Sequence, residues 1–384
     1  MSLQRVAFSP LHTFTRVTDE TFFNQVVDSF GNVSYELQTA PSGTAVQNAY
    51  DPATGEPLGL QVFEQRTNLL TYSEQFDNAS WTKAGEGTGS IPVVTANAGV
   101  APDGTTTADR VQFALNGGTT TADSSVILKN ATVSSLATTS RSIWIKSNTG
   151  SSYEILFGST IPPSVLQKIT VTTEWKRFDL THTTNSTTAS IYFGLRNLSG
   201  LTGQSDSADL LIWGAQLEAG SFPTPYIKTE ATTATRNASV AVINNIDESE
   251  WWNAAQGRFT VKARAPQNLT VASTIFEISS GLSNNRLIAR FTGGNLNVAC
   301  LINAFAFQIN LVSATVGQDY IIDVKFDSSG FYAAVDGGSF QLITATPLRS
   351  DLFTILALGK SSYTEANWLN SHLAKLIYYP SAGV

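Results

Sequence analysis

Apolar positions along this chain recur with a period of two, in short runs separated by Gly, Pro, Asn and Asp. Runs of this kind are Ser142–Lys146, Tyr153–Phe157, Lys176–Leu180, Ser190–Leu195 and Leu210–Leu217. Period-two alternation sends neighbouring side chains to opposite faces of a strand. In Ser142-Ile-Trp-Ile-Lys146, that sets Trp144 against Ile143 and Ile145. Helical periodicity is almost absent; the exception is Asp247–Trp252, where an acid three residues after Asp247 has capping-box spacing and predicts one short helix. Many short strands with frequent turns predict an all-β chain of tandem β-sandwiches.

Composition divides the chain into three. Residues 1–64 read as a leader, with the turn-rich stretch Tyr50–Leu58 followed by an apolar strand at Leu60–Phe63. Residues 65–235 read as a first sandwich, ending in the small, polar linker Thr229–Arg236. Residues 236–384 read as a second, with strands at Phe259–Ala263, Thr274–Ile278, Leu287–Phe291, Phe305–Leu311, Tyr320–Phe326, Phe331–Val335, Thr354–Leu358 and His372–Tyr379. Asp327-Ser-Ser-Gly330 predicts a tight hairpin.

Only 14% of the residues are charged and the net charge is -7, so the polar surface is supplied by Ser, Thr, Asn, Gln and Gly. No basic stripe marks a nucleic-acid partner. No run is apolar enough to predict membrane insertion, and the first residues lack the pattern of a signal peptide. The lone Cys300 has no partner for an internal disulfide, so the fold is expected to form in a reducing cytoplasm.

Catalytic signals are weak. The histidines, at 12, 182 and 372, lack metal-ligand spacing. His182 sits in a Thr-rich stretch that reads as exposed. No nucleophile elbow, P-loop or dinucleotide fingerprint occurs, so no enzyme is expected. A Ca²⁺ site would draw on Glu74, Asp77 or Asp209, with Asp103 a turn residue first.

What remains is aromatic. An exposed indole or phenol ring stacks on the apolar face of a sugar while neighbouring polar groups hold the hydroxyls. The candidates are Tyr363, Asn367 and Trp368 in the polar loop Lys360–Trp368, together with Trp175, Trp144 and Arg177. Trp213 reads as core.

Four groups of segments resemble phage and gene-transfer-agent head-spike or tail-fibre proteins. They are Tyr50–Leu60 with Glu64–Glu74; Phe76–Lys83 with Ala101–Asp109; Trp213–Glu218 with Ser221–Tyr226 and Thr235-Arg236; and Trp251–Gly257 with Leu369–Pro380. The resemblance implies a short N-terminal attachment leader, a jelly-roll module like the carbohydrate-binding modules, and a concanavalin- or laminin-G-like sandwich. It further implies a place on a virion surface after synthesis in the bacterial cytoplasm, a homotrimer, a capsid or tail protein as partner of the leader, and host capsular polysaccharide or lipopolysaccharide as ligand. Related jelly rolls carry an Asp-Asp pair near a structural calcium where this chain has Trp213-Gly214, which counts against Ca²⁺ there. The competing expectations are a purely structural decoration protein and, behind it, a polysaccharide depolymerase.

Overall fold

The computed structural model describes residues 22–27, 33–38, 48–50, 57–346 (without 199, 202, 240, 250 and 304), 353–363 and 367–381. The chain divides into two compact units, Gln65–Asn237 and a unit made of residues 1–64 with 238–384.

The Gln65–Asn237 unit is a sandwich of two five-stranded antiparallel sheets. One sheet runs Lys176–Thr183, Thr138–Ser147, Ser207–Ala219, Ala108–Ala114, Val93–Gly99; the other runs Val165–Val171, Tyr153–Ser159, Thr188–Arg196, Ser124–Thr132, Thr82–Glu86. Their alternate residues meet in one core that includes Ile143, Ile145, Phe113, Phe157, Phe193, Ile212 and Leu217. Phe76 and Trp81 close it, tilted against each other with centroids 4.8 Å apart.

The other unit is also a sandwich. Its six-stranded sheet runs Val242–Asn244, Ile355–Leu358, Ser273–Ser279, Arg286–Thr292, Asn295–Ile302, Phe305–Ser313. The facing sheet is built on Ser371–Tyr379, Gly257–Arg264, Asp319–Asp327, Gly330–Val335 and Gln341–Thr344. All eight strands expected after residue 236 are present, and Asp327 pairs with Gly330 across the expected hairpin. The stretch around the buried Cys300 forms a further strand, Asn295–Ile302, that the sequence reading left unassigned.

Two expectations are corrected. Residues 1–64, expected as a separate leader, group with the second sandwich: Pro57–Val62 pairs with Ser371–Tyr379, Val33–Gln38 pairs with the same strand, and Leu60 and Val62 are core. Two apolar side chains spaced by two fill a sheet face as well at position 60 as at position 260. The expected helix at 247–252 is a single 3-10 turn, Ile246–Glu248, because Asn245 takes a left-handed conformation and no side chain caps the turn. Trp251 is buried and Trp252 partly buried, both packed with Tyr378.

Candidate functional site

The outward face of the sheet containing Trp144 carries an aromatic cluster separate from the sandwich core. Ile143 and Ile145 point inward and are fully buried, so Trp144 between them points out. Across the strands it stands opposite Arg177 on one side and Trp213 on the other. The pairing with Ser207–Ala219 slips between Ser142 and Trp144, where Gly214 adopts φ +65°. This β-bulge absorbs one residue, so Trp213 faces out while Ala215 returns to the core. Trp213 is therefore buried as expected, but in the outer cluster.

Trp213 donates from Nε1 to Thr107 Oγ1 at 2.9 Å and lies 4.5 Å, centroid to centroid, from Tyr226. The Tyr226 hydroxyl meets Ser73 Oγ at 2.6 Å and donates to Glu74 at 3.1 Å; burial, above all, pushes that phenol's pKa up. Trp175 donates from Nε1 to the Val100 carbonyl at 3.2 Å, and the Lys146 ammonium sits 5.5 Å from its ring centroid. Arg177 donates to Ser142 Oγ at 2.8 Å; desolvation lowers its pKa, opposed by Glu218, Asp179 and Tyr226.

One end of this face is covered by the chain that follows the long central strand. Gln216 accepts from the Ile227 N–H at 2.6 Å and donates to the Thr224 carbonyl at 3.2 Å, while Glu218 accepts from the Thr224 N–H at 2.9 Å and from its hydroxyl. Both Glu218 oxygens are thereby occupied. Trp144, Trp175, Lys146 and Arg177 each keep part of their surface in solvent. The face offers ring surfaces, cations and hydroxyls on strands that hold them in place.

The second group of expected residues divides differently. Tyr363 is 50% exposed, with the Arg286 guanidinium 5.7 Å from its ring centroid. Asn367 is exposed, at φ +63°, and its carbonyl accepts from the Thr274 N–H at 2.8 Å. Trp368, expected in an open loop, is 7% exposed and belongs to the core, with Lys360 Nζ 5.2 Å from its centroid. It precedes Leu369 and the Ser371–Tyr379 strand, so its ring follows the core and not the loop. Residues 364–366 lie outside the described residues. The loop is anchored by Glu277, fully buried, which accepts from Ser361 Oγ at 2.9 Å and from the Ser362 N–H at 3.2 Å. Sequence reasoning missed Glu277, Arg286 and Lys146, whose partners are distant in the chain. Gly214 carried a usable signal, since an isolated Gly within a strand pattern marks a bulge.

The calcium candidates do not assemble. Among the described residues no group of three or more His, Cys, Asp or Glu side chains could hold a metal ion. Each candidate faces a cation of the chain itself. Glu74 pairs with Lys228 at 2.8 Å, and Asp209 pairs with Arg110, whose hydrogen bond is the largest cause of its lowered pKa. Beside the exposed Asp77, Lys83 Nζ donates to the carbonyls of Phe76 (3.0 Å), Asp77 (3.1 Å) and Asn78 (3.1 Å). A convergence of carbonyls that would suit Ca²⁺ is filled by an ammonium, so these residues do not fit the metal. His182, expected to be exposed, is 5% exposed because it shares the inward register of Phe178 and Leu180.

No known family's sequence profile matches this chain, and no curated protein matches it. Among solved structures, it is similar to the CBM40 module of the Ruminococcus gnavus IT-sialidase bound to alpha2,3 sialyllactose, at 13% identity and TM-score 0.29, covering 37% of this chain and 86% of that one. It is similar to the CBM22-1-CBM22-2 tandem of Paenibacillus barcinonensis Xyn10C, at 11% identity and TM-score 0.29, covering 83% of this chain and 99% of that one. It is also similar to mouse laminin alpha1 LG4-5, at 10% identity and TM-score 0.25, covering 63% and 82%.

Proposed function

We propose that this chain binds glycans without cleaving them, through the outward face that bears Trp144 and Trp175. The observation that carries the reading is the placement of two partly solvent-exposed indoles beside Lys146 and Arg177 on one sheet surface. Indole rings offer an apolar plane to sugar C–H bonds, and the cations supply polar contacts around it, with Arg177 held in place by the buried Ser142 hydroxyl. Strand pairing fixes the rings before the ligand arrives, which lowers the ordering cost of binding.

We further propose, from the resemblance of the sequence segments, that the protein is displayed as a trimeric spike or fibre on a phage-like particle. In this reading the ligand is capsular polysaccharide or lipopolysaccharide, and residues 1–64 engage the particle. A single shallow site in the millimolar range contributes about 4 kcal/mol. Repetition around a trimer and a particle raises effective affinity by roughly 10²–10⁴.

The test is retention of the full chain by capsulated cells and by isolated glycans, compared with a Trp144→Ala/Trp175→Ala variant. Wild type is retained, the variant is released from neutral glycans, and glycan chain length stays constant. Shortened product would make the protein a depolymerase. Equal retention of wild type and variant would move binding elsewhere. The burial of Trp213 and Trp368 favours the structural-decoration alternative to the extent that it removes two rings from the surface; that alternative requires no glycan retention at all.

A further inference from the structure

The six-stranded sheet of the other unit has an outward face whose chemistry the Trp144 platform does not share. Along Arg286–Thr292, Leu287, Ala289 and Phe291 point into the core, so Arg286, Ile288 and Arg290 point out. The neighbouring strands place Asn297, Gln308 and Asn310 beside them. Arg290 donates from Nε to Asn297 Oδ1 at 3.1 Å and from Nη2 to Gln308 Oε1 at 3.2 Å; Asn297 donates to Asn310 Oδ1 at 2.8 Å. The amides hold the guanidinium in position without neutralising it.

Among the described residues, charge on this face is unbalanced. Its Glu277 is taken up by Ser361, Ser362 and Arg286, the last at 3.6 Å. Arg290 has no carboxylate partner among the described residues, and Arg286 Nε is buried without a hydrogen-bond partner there. Desolvation first, and then repulsion from Arg286, lower the pKa of Arg290, with Glu277 opposing. Among the described residues this leaves a local excess of positive charge, held by built contacts, in a chain of net charge -7. Tyr363 stands at the Arg286 end, its ring half exposed, and Asn367 meets Thr274, the residue opposite Arg290.

We infer that the outward face around Arg286, Arg290, Asn297, Gln308 and Tyr363 is a second binding site, selective for a carboxylate-bearing saccharide. The planar guanidinium of Arg290, positioned by the buried Asn297, matches a carboxylate, the exposed amides of Gln308 and Asn310 match hydroxyls, and the open part of the Tyr363 ring matches a sugar face. A free inorganic anion would use the guanidinium and leave the amides and the ring idle. This deepens the reading of the chain as a glycan binder, but the site stands on the other unit and does not depend on Trp144 or Trp175.

The experiment uses the full chain and immobilised polygalacturonate, alginate and polysialic acid. Carboxyl-reduced polygalacturonate and dextran sulfate serve as controls, and retention is measured over a salt series. The variants are Arg290→Lys, which keeps the charge and removes the fork, Tyr363→Ala, which removes an exposed ring, and Trp144→Ala/Trp175→Ala. At least one carboxylate polymer is retained; Arg290→Lys and Tyr363→Ala each weaken that retention about tenfold; the double Trp variant keeps it while losing neutral glycans; and the carboxyl-reduced polymer passes through. Retention of no carboxylate polymer, equal retention of dextran sulfate, or indifference to both the Arg290 and Tyr363 changes overturns the inference. Loss of neutral-glycan binding alone counts against the Trp144 platform and leaves this site standing.

Discussion

Trp144 and Trp213 stand directly opposite each other on adjacent antiparallel strands, and the bulge at Gly214 lets Trp213 face out beside Trp144 while Ala215 returns to the core. A Cβ on Gly214 would lie 3.4 Å from Trp144 Cδ1 and from two Tyr226 ring carbons. The left-handed backbone, more than a clash, is therefore what requires glycine here. Gly214→Ala is expected to cost about 1–2 kcal/mol, and Gly214→Val more, because a β-branched side chain at positive φ is worse still. Urea midpoints measure the loss, and a weakened near-ultraviolet dichroism of the indoles reports the displaced rings. An unchanged midpoint for both variants would show that the bulge relaxes without strain.

Lys83 sets the prediction about metals. Its ammonium occupies the carbonyls of residues 76–78 and Asp109 and Asp77 lie near enough to raise its pKa against a larger lowering by burial. The wild-type chain is expected to show the same thermal midpoint in chelator and in millimolar Ca²⁺. Lys83→Met leaves three carbonyls without their cation and is expected to lower stability by about 1.5–3 kcal/mol, the range for hydrogen bonds to a charged group. A chelator-sensitive wild type would refute this assignment.

Asp109 is 1% exposed and accepts from the Phe76 N–H at 2.7 Å and the Asn97 N–H at 2.9 Å. Burial raises its pKa to about 6, reinforced by Asp77 and opposed by those N–H groups. Between the unfolded carboxyl value near 4 and about 6, the folded state holds the extra proton, so this group's contribution to stability falls as pH rises through that window. His372 acts in the opposite direction: burial lowers its pKa to about 4, so its contribution is lost as pH falls from about 6.5. Only a difference measurement separates them. The stability of wild type minus that of Asp109→Asn is expected to decline from pH 4 to pH 6.5, and a flat difference would remove Asp109 as the cause.

Arg141 is fully buried in the inward register beside His182, and its Nη2 donates to Thr139 Oγ1 at 2.7 Å, while Nε and Nη1 have no hydrogen-bond partner among the described residues. Burial alone lowers its pKa to about 10. A desolvated charge without a carboxylate is a cost to the fold, so Arg141→Met, which keeps the stem and removes the head, is expected to raise stability by about 1–4 kcal/mol. A fall in the urea midpoint would mean that the guanidinium is compensated in solution by a bound anion.

Strand identity was legible in the sequence because period-two alternation is a local property. The outward placement of Trp144 followed from its two Ile neighbours, and the structure places it there. What could not be read locally depends on register between distant strands. The Leu60 strand joins Ser371–Tyr379 across some three hundred residues, Arg286 meets Glu277 through a hairpin and Tyr363 through a loop, and nothing in Tyr-Thr-Glu-Ala-Asn-Trp announces that the last ring turns inward. The polar composition around Trp368 suggested exposure, but the burial of a large ring is decided by the strand that follows it.

Trp175 and Trp368 separate the ligand-facing rings from the structural ones. Trp368 is packed in the core, and its removal leaves a cavity in a sandwich built on aromatic contacts. Trp368→Ala is expected to cost about 3–5 kcal/mol and to impair binding only through unfolding, so retention at low temperature should return to wild-type levels. Trp175 has part of its surface in solvent and one hydrogen bond, to Val100. Its replacement by Ala should cost roughly 1 kcal/mol of stability while glycan retention falls severalfold at any temperature where the protein is folded. Denaturation curves and retention measured on the same preparations decide the matter. If Trp175→Ala unfolds the chain as readily as Trp368→Ala does, the ring is structural and the platform loses one of its two faces.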